Sequence, residues 1–332
     1  MMDYRVPVYH GLLSKKFLDE QRLSTTYSAQ SFARESMSCW TGNSRDSWFD
    51  SEQLLRCRSI LSCEREAKPT PDSFYILSID VARYQANTAI TVTKVFPKEE
   101  FFKVKVVYLE AINGENFITQ QAPRIKKLIQ LYNPREVVID GNGLGSGLVD
   151  ALSLPSTDGK TGESFPAYYV FNDDRHLPPQ MKNPTEEPMP GYNAIIYDLK
   201  ANSSNDDKIH ANFYNMVSNR HVSFLAPERI VKNKLLATKK GQKMSLFDRR
   251  VFLLPYEMTS RLMDEINNLR LKPTGAQNQI KVEQISKTIF KDRFSSLEYN
   301  LWRVKYYEDK NIHKKKRKLD FKHLPLYTKR QG

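Results

Sequence analysis

Three apolar runs follow one another between residues 74 and 112: FYILSIDVA (74–82), TAITVTKVF (88–96) and FKVKVVYLEAI (102–112). Short apolar runs rich in β-branched and aromatic residues are typical of buried strands. The polar turn PKEE separates the second run from the third. Because consecutive strands joined by short turns usually pair with each other, we expect an antiparallel meander.

Strands and helices then alternate along the chain. The segment 115–133 has helical spacing of its apolar residues, PREVVIDGNG (134–143) predicts a strand that ends in a Gly-rich turn, and GSGLVDAL predicts the next helix. The segment 193–219 predicts one or two helices, and 291–310 predicts a long closing helix. This order predicts an α/β fold, with a mixed sheet flanked by helices on both faces. Ribonuclease H-like proteins and the halves of actin-like ATPases have this order.

The composition excludes several classes of protein. The chain has 332 residues, of which 40% are hydrophobic and 27% charged, as in a globular protein with a sizeable core. No apolar stretch approaches the roughly 20 residues that a membrane helix needs, and the N-terminus has no apolar signal core. Cys39, Cys57 and Cys63 form no CxxC pair. We therefore expect an intracellular protein with reduced thiols and no membrane segment.

Positive charge is in excess and is unevenly distributed. The chain has 51 Lys and Arg against 38 Asp and Glu, a net charge of +13. Residues 310–330 hold nine Lys or Arg against one Asp, a net charge of +8, and a second basic run covers 229–250. This distribution predicts a polyanionic partner whose phosphate contacts weaken as the salt concentration rises.

Three regions are predicted along the chain. Residues 1–70 are mixed and polar and reach the Pro-containing linker AKPTPD (67–72). Residues 71–308 form the predicted α/β domain, and residues 309–332 form a basic tail.

Three aspartates are candidates for the chemistry. Asp80 ends the first apolar run and Asp140 ends the strand before the Gly-rich turn, so both are expected at the edge of the sheet where α/β proteins bind ligands. Asp292 starts the closing helix. Three such carboxylates are a common cage for two Mg²⁺ or Mn²⁺ ions, which promote phosphodiester hydrolysis. The alternative is that each aspartate only caps a turn or a helix.

Residues near these acids suit phosphate chemistry. The glycines of GNGLGSG (141–147) would allow the backbone to approach a phosphate, next to a helix N-terminus. Basic residues near the acids and in a predicted DNA-facing loop or hairpin within 229–250 are candidate DNA contacts: Arg83, Lys239, Lys240, Lys243, Lys291 and Arg293.

The chain resembles the C-terminal nuclease domain of the large terminase subunit of tailed bacteriophages. Three motifs carry the resemblance, in this order: IDVARYQANTAITV, VVIDGNGLGSGLVDAL and IFKDRFSSLEYNLWRVKYYE. It runs from about residue 74 to residue 308, and the segment upstream extends it to about residue 25.

The resemblance implies a ribonuclease H-like endonuclease that cuts concatemeric double-stranded viral DNA in the host cell cytoplasm. The acidic residues of the family map onto Asp80, Asp140 and Asp292, with Asp80 bridging two Mg²⁺ or Mn²⁺ ions. The implied partners are a motor ATPase domain or subunit, the small terminase subunit and the portal. Full-length family members carry a P-loop ATPase, whereas the motif GxxxxGK[ST] does not occur in this sequence, so we expect no P-loop ATPase in this chain.

Other functions fit parts of the same pattern. A junction resolvase or a transposase would use the same acids on another DNA substrate. An actin-like or sugar-kinase ATPase would need a second half with its own Gly-rich phosphate loop, and the sequence has one such loop. A non-enzymatic DNA-binding packaging protein would bind DNA without depending on metal ions.

Overall fold

The computed structural model describes residues 4–18, 47–82, 87–112, 116–200, 205–272 and 281–322. Within these ranges the main sheet has seven strands. In chain order these strands are β1 (Phe74–Asp80), β2 (Thr88–Pro97), β3 (Phe102–Ile112), β4 (Glu136–Asp140), β7 (Tyr169–Val170), β8 (Ala194–Leu199) and β9 (Val222–Ser223). Two small ribbons pair β5 (Ser156–Thr157) with β6 (Ser164–Phe165), and β10 (Leu269–Lys272) with β11 (Lys281–Gln284).

The strand order of the main sheet is β7-β8-β4-β1-β2-β3-β9. Strands β1, β2 and β3 are antiparallel neighbours, and β4 and β8 continue the sheet in parallel with β1. This arrangement confirms the predicted meander and the predicted ribonuclease H-like mixed sheet. Because Ile79 of β1 is paired with Ile139 of β4, Asp80 and Asp140 follow side by side at the edge where both strands end.

Helices cover both faces of the sheet. The described helices are α1 (Arg5–Tyr9), α2 (Ser51–Arg56), α3 (Ala122–Tyr132), α4 (Leu144–Leu152), α5 (Asp206–Ser218), α6 (Glu228–Leu236), α7 (Lys239–Lys243), α8 (Leu246–Asn267) and α9 (Asp292–Lys322). A π-helical turn (Phe117–Gln121) leads into α3, and two short 3₁₀ turns cover Asp174–His176 and Pro190–Tyr192. None of the helices in the described ranges combines the length and the apolar character needed to cross a bilayer.

The central strands are buried from both sides. On one face, Ile76 of β1 belongs to a core cluster with Phe213 of α5 and Leu297 of α9. On the other face, Leu77 belongs to a cluster with Leu128 of α3. Burial on both faces explains why these strands are nearly continuous apolar runs rather than alternating ones.

The segment before β1 contributes to the same core. Trp48, Phe49 and Leu54 are buried in the cluster that includes α9. Asp50 caps α2 by accepting a 3.1 Å hydrogen bond from the backbone N–H of Glu52. The region boundaries near residues 70 and 308 stay predictions.

Two predicted elements differ from the structure. The segment 193–219, predicted as helical, begins with strand β8, and α5 follows only after it. The apolar run AIIYDL pairs in parallel with β4, and a short apolar run of this kind has no periodicity that separates a buried strand from a helix. The loop or hairpin predicted within 229–250 is instead α6, α7 and the start of α8.

Candidate active site

Asp80, Asp140 and Asp292 are brought to the same edge of the sheet. Asp80 ends β1, Asp140 ends β4, and Asp292 begins α9. Burial raises the pKa of Asp80 to about 8, and the negative charges of Asp292 and Asp140 add to this rise. Carboxylates influence one another in this way only when they share a poorly solvated space. The three predicted acids therefore form one electrostatically coupled group.

The Asp140 carboxylate is held in a defined orientation. Its Oδ1 accepts a 3.1 Å hydrogen bond from the backbone N–H of Asn142, and its Oδ2 accepts a 3.2 Å hydrogen bond from the hydroxyl of Tyr299 on α9. Burial raises the pKa of Asp140, although these hydrogen bonds act in the opposite direction. Helix α9 therefore positions two acids of the group, Asp292 directly and Asp140 through Tyr299.

The first turn of α9, which carries Asp292, is supported by Glu265 of α8. Glu265 accepts a 2.6 Å hydrogen bond from Arg293 Nη1 and a 2.9 Å hydrogen bond from the backbone N–H of Phe294. Asp292 Oδ2 accepts a 3.3 Å hydrogen bond from the backbone N–H of Asn87. Burial raises the pKa of Asp292, and the bond from Asn87 partly offsets that rise. The role of Glu265 depends on a tertiary contact, so no local sequence signal predicts it.

Arg293 does not fit its predicted role as a DNA contact. Its side chain is buried, with 6% of the residue exposed, and its guanidinium is paired with Glu265. A guanidinium in this position is not available to a phosphate at the surface. Arg293 instead links α9 to α8 behind the acidic group.

The other predicted basic contacts are in different places. Lys291 is exposed next to Asp292, and its positive charge partly counters the raised pKa of Asp80 and of Asp292. Lys239, Lys240 and Lys243 are exposed on the short helix α7. Arg83 lies outside the described residues.

The Gly-rich turn after β4 packs against protein atoms. A Cβ atom at Gly141 would lie 1.8 Å from Asp198 Oδ1, and a Cβ atom at Gly145 would lie 1.7 Å from the backbone oxygen of Asp140. Gly143 has a φ of +56°, in the left-handed region that favours glycine. Gly141 and Gly145 are explained by close packing around Asp140, and Gly143 by its backbone conformation, whereas the sequence predicts an approach to phosphate.

A further carboxylate, Asp198, lies on the neighbouring strand β8 level with Ile139, and its side chain is on the opposite face of the sheet from that of Asp140. The Asp198 side chain is 4% exposed, and its charge contributes, after burial, to the raised pKa of Asp140. Asp198 is absent from the sequence prediction because 193–219 predicts helices. A signal was present, since IIYD repeats the pattern of an apolar run followed by Asp that occurs in LSID and VVID.

The acidic group suits a hard divalent cation by its chemistry. All its donors are carboxylate oxygens, which Mg²⁺ and Mn²⁺ prefer. The pKa of Asp80 is raised first by burial and then by the charges of Asp292 and Asp140, and a cation would relieve this second contribution. In the described ranges, no three His, Cys, Asp or Glu side chains form a ready-made metal-ligand cluster. The group is therefore defined by its shared electrostatics rather than by a closed cage of ligands.

Solved structures of phage terminase nucleases are similar to this chain. The large terminase nuclease from thermophilic phage G20c with bound magnesium has a TM-score of 0.43 and 17% identity, and the match covers 78% of this chain and 97% of that chain. The same nuclease with bound cobalt has a TM-score of 0.43 and 16% identity, with the same coverage of 78% and 97%. The large terminase nuclease domain of Thermus phage P74-26 has a TM-score of 0.41 and 17% identity, covering 74% and 90%. No protein-family model and no curated protein matches the chain.

Proposed function

We propose that this chain is the nuclease part of a viral genome-packaging terminase, an endonuclease that cuts concatemeric double-stranded DNA with the help of divalent cations. The observation that carries the proposal is the coupling of Asp80 to Asp292 and Asp140, which come from three separate elements of the fold. Two carboxylates that add to the raised pKa of a third in a half-buried position favour the binding of a cation there. The assignment to a terminase rests, in addition, on the resemblance of the three sequence motifs to that family.

Each member of the acidic group has a role in this proposal. Asp80, Asp140 and Asp292 would hold two Mg²⁺ or Mn²⁺ ions. The bound ions would supply the Lewis acidity that activates water and stabilises the leaving oxygen in phosphodiester hydrolysis. Tyr299 orients Asp140, and Glu265 holds the turn that carries Asp292.

DNA would approach the acidic group from the solvent side. Lys291 is the exposed cation next to Asp292, and Lys239, Lys240 and Lys243 offer further exposed charge on α7. Arg83 and the basic tail are further proposed phosphate contacts. The proposal also includes the host cell cytoplasm as the location, and as partners a motor ATPase domain or subunit, the small terminase subunit and the portal.

A plasmid-cleavage assay tests the proposed activity. The full chain is incubated with supercoiled plasmid in Mn²⁺, in Mg²⁺ and in EDTA, beside the variants Asp80→Ala and Asp150→Asn. Asp150 is a matched control because it is an acid on α4 whose side chain is 66% exposed. We expect nicking and linearisation in the metal-containing samples, abolished by Asp80→Ala and retained by Asp150→Asn. DNA binding in EDTA should be equal for all three proteins.

The same assay separates the alternatives. A strong preference for four-way junctions over linear duplex would favour a junction resolvase or a transposase-type enzyme. Salt-sensitive DNA binding without cutting in either metal would contradict a nuclease activity of this chain and favour a DNA-binding packaging protein. Cutting that persists in Asp80→Ala would contradict the assignment of the site.

A further inference from the structure

A cavity of about 550 Å³ lies beside the acidic group. Its walls come from the C-terminal part of α8, from the segment 285–290 that leads into α9, and from Asn87. Asn87 connects the cavity to the acidic group, because its backbone N–H donates the 3.3 Å hydrogen bond to Asp292 Oδ2. Phe290 also lines the cavity and precedes Asp292 by two residues, a span of at most about 7 Å. A DNA strand with a phosphate at the acidic group would therefore bring a neighbouring nucleotide to the cavity.

Two large apolar side chains on the wall of this cavity are exposed. Ile289 is 39% exposed and Phe290 is 45% exposed. The segment that carries them is tied to Asn268, the residue that follows α8. The Asn268 side chain accepts a 2.9 Å hydrogen bond from the N–H of Ser286 and donates hydrogen bonds to the carbonyl oxygens of Ser286, at 2.8 Å, and Ile289, at 3.4 Å. The backbone therefore holds both apolar side chains at the surface, although they are of the kind that usually packs in the core.

The other walls of the cavity are mainly polar. They include the amide-bearing residues Asn87 and Asn267 and the hydroxyl-bearing residue Thr288. Amide groups both donate and accept hydrogen bonds. An aromatic ring together with such groups is the combination that holds an unstacked base in enzymes that act on nucleic acids.

The charges around the cavity are compatible with a nucleic acid. The carboxylate of Glu265 is paired with Arg293 at 2.6 Å. Burial raises the pKa of Asp264, and the charges of two neighbouring arginines oppose that rise. Lys287 and Lys291 are exposed on either side of Ile289 and Phe290 in the chain. The acids in the walls are thus accompanied by cations of the chain, and the exposed lysines are available to phosphates.

We propose that this cavity binds one unstacked nucleobase of the DNA strand that lies at the acidic group, with the ring of Phe290 stacked on the base. The inference rests on the proposed function and adds a base contact to its metal and phosphate contacts. Every base has a π-face, so stacking on an aromatic ring requires no particular sequence. The stacking would offset part of the cost of taking the base out of the duplex.

DNA binding in EDTA, measured by fluorescence anisotropy, tests the cavity without metal ions. Two labelled duplexes differ at one unpaired position, which holds an adenine in the first duplex and an abasic site in the second. We expect the unaltered chain to bind the adenine duplex about tenfold more tightly, the order expected for one base stacked on an aromatic ring. Phe290→Ala should remove this difference, and Phe290→Tyr should keep it.

Phe247→Ala is the matched control. Phe247 is 74% exposed near the start of α8, whereas the cavity lies at the other end of this 22-residue helix, roughly 25 Å away. The preference for the adenine duplex should be unchanged in this variant. In Phe290→Ala, the affinity for Mn²⁺ by titration calorimetry and the unfolding temperature should equal those of the unaltered chain, because the lost ring is exposed and supplies no metal ligand.

The possible results separate the base site from the nuclease activity. Equal affinity for the two duplexes, in a chain that cuts plasmid, would overturn the base site and leave the proposed function intact; the exposed apolar side chains would then suit a protein partner. A preference that survives Phe290→Ala would also overturn it. A fall in Mn²⁺ affinity or in unfolding temperature in Phe290→Ala would make Phe290 a structural residue. A preference that Phe290→Ala removes, in a chain that cuts no DNA in either metal, would support the base site and contradict the proposed nuclease.

Discussion

Strand β4 carries a carboxylate at each end, and the two ends have opposite environments. At its start, Glu136 is fully buried and pairs with Arg303 and Tyr307 of α9. At its end, Asp140 bonds to a backbone N–H and to the Tyr299 hydroxyl, with Asp80 and Asp292 nearby. The same helix therefore supplies a cation at one end of the strand and a further acid at the other.

The different environments of Glu136 and Asp140 indicate that the two carboxylates have different roles. A buried ion pair with good geometry holds two elements in register, and Glu136 with Arg303 does this for β4 and α9. A group of like charges weakens the fold unless something outside the chain neutralises it. The comparison thus separates a structural carboxylate from carboxylates that are available to a cation.

Breaking the structural pair should have the largest effect on stability. Arg303→Met leaves the Glu136 carboxylate buried without its cation, which is expected to lower the free energy of unfolding by about 3–5 kcal/mol. Urea denaturation measures this loss. Adding Glu136→Gln to Arg303→Met should restore part of it, because the remaining buried group is then neutral.

Lys305→Met is the matched control on the same helix. Lys305 pairs with Asp309 at 2.9 Å, but both side chains are partly exposed, at 37% and 50%. Exposed pairs contribute little, so the loss should stay below about 1 kcal/mol. Equal losses for Arg303→Met and Lys305→Met would show that the Glu136 end is not the structural end of the strand.

Crowding the other end of β4 should have a smaller effect on stability. In Gly141→Ala the new methyl group would lie 1.8 Å from Asp198 Oδ1, so the turn or the carboxylate must move. Overpacking of this kind costs about 1–3 kcal/mol. Plasmid cleavage should fall further than stability does, because the displaced turn carries Asp140.

Gly159→Ala is the control, since nothing lies within 4 Å of its added Cβ. Indistinguishable unfolding and cleavage in the two variants would contradict close packing at Gly141.

The two ends of β4 also differ in how far sequence predicts them. Asp80 and Asp140 are predictable because an apolar strand that ends in Asp is a local pattern. Asp292 starts an amphipathic helix, which is also a local pattern. Asp198 follows the same strand pattern but is missed, because its short apolar run fits a helix as well as a strand.

The partners of the buried charges are beyond prediction from local patterns. Glu136 and Arg303 are 167 residues apart, and Glu265 and Arg293 are 28 residues apart on different helices. Which carboxylate is paired and which is left without a cation depends on the packing of α9 against the sheet. The sequence therefore predicts the acids of the candidate site but not the contacts that position them.

The dependence of stability on pH that arises from Asp80 should be the smallest of these effects. The pKa of Asp80 is raised to about 8 in the folded chain by burial and by Asp292 and Asp140, against roughly 3.9 in an unfolded one. The folded state therefore binds the proton more tightly, and stability falls as the pH rises towards 8. We expect the metal-free chain to lose about 1 kcal/mol between pH 6 and pH 8, since solvent screening reduces the full linkage value.

Thermal unfolding in EDTA across this pH range, beside Asp80→Asn, isolates the contribution of Asp80. The variant has no carboxyl group to titrate at this position, so its stability should change less with pH. Mg²⁺ or Mn²⁺ should stabilise the unaltered chain more at pH 8 than at pH 6, because the cation competes with a proton for the same oxygens. An equal pH dependence in Asp80→Asn would mean that the acidic end is compensated within the chain, and the contrast between the two ends of β4 would disappear.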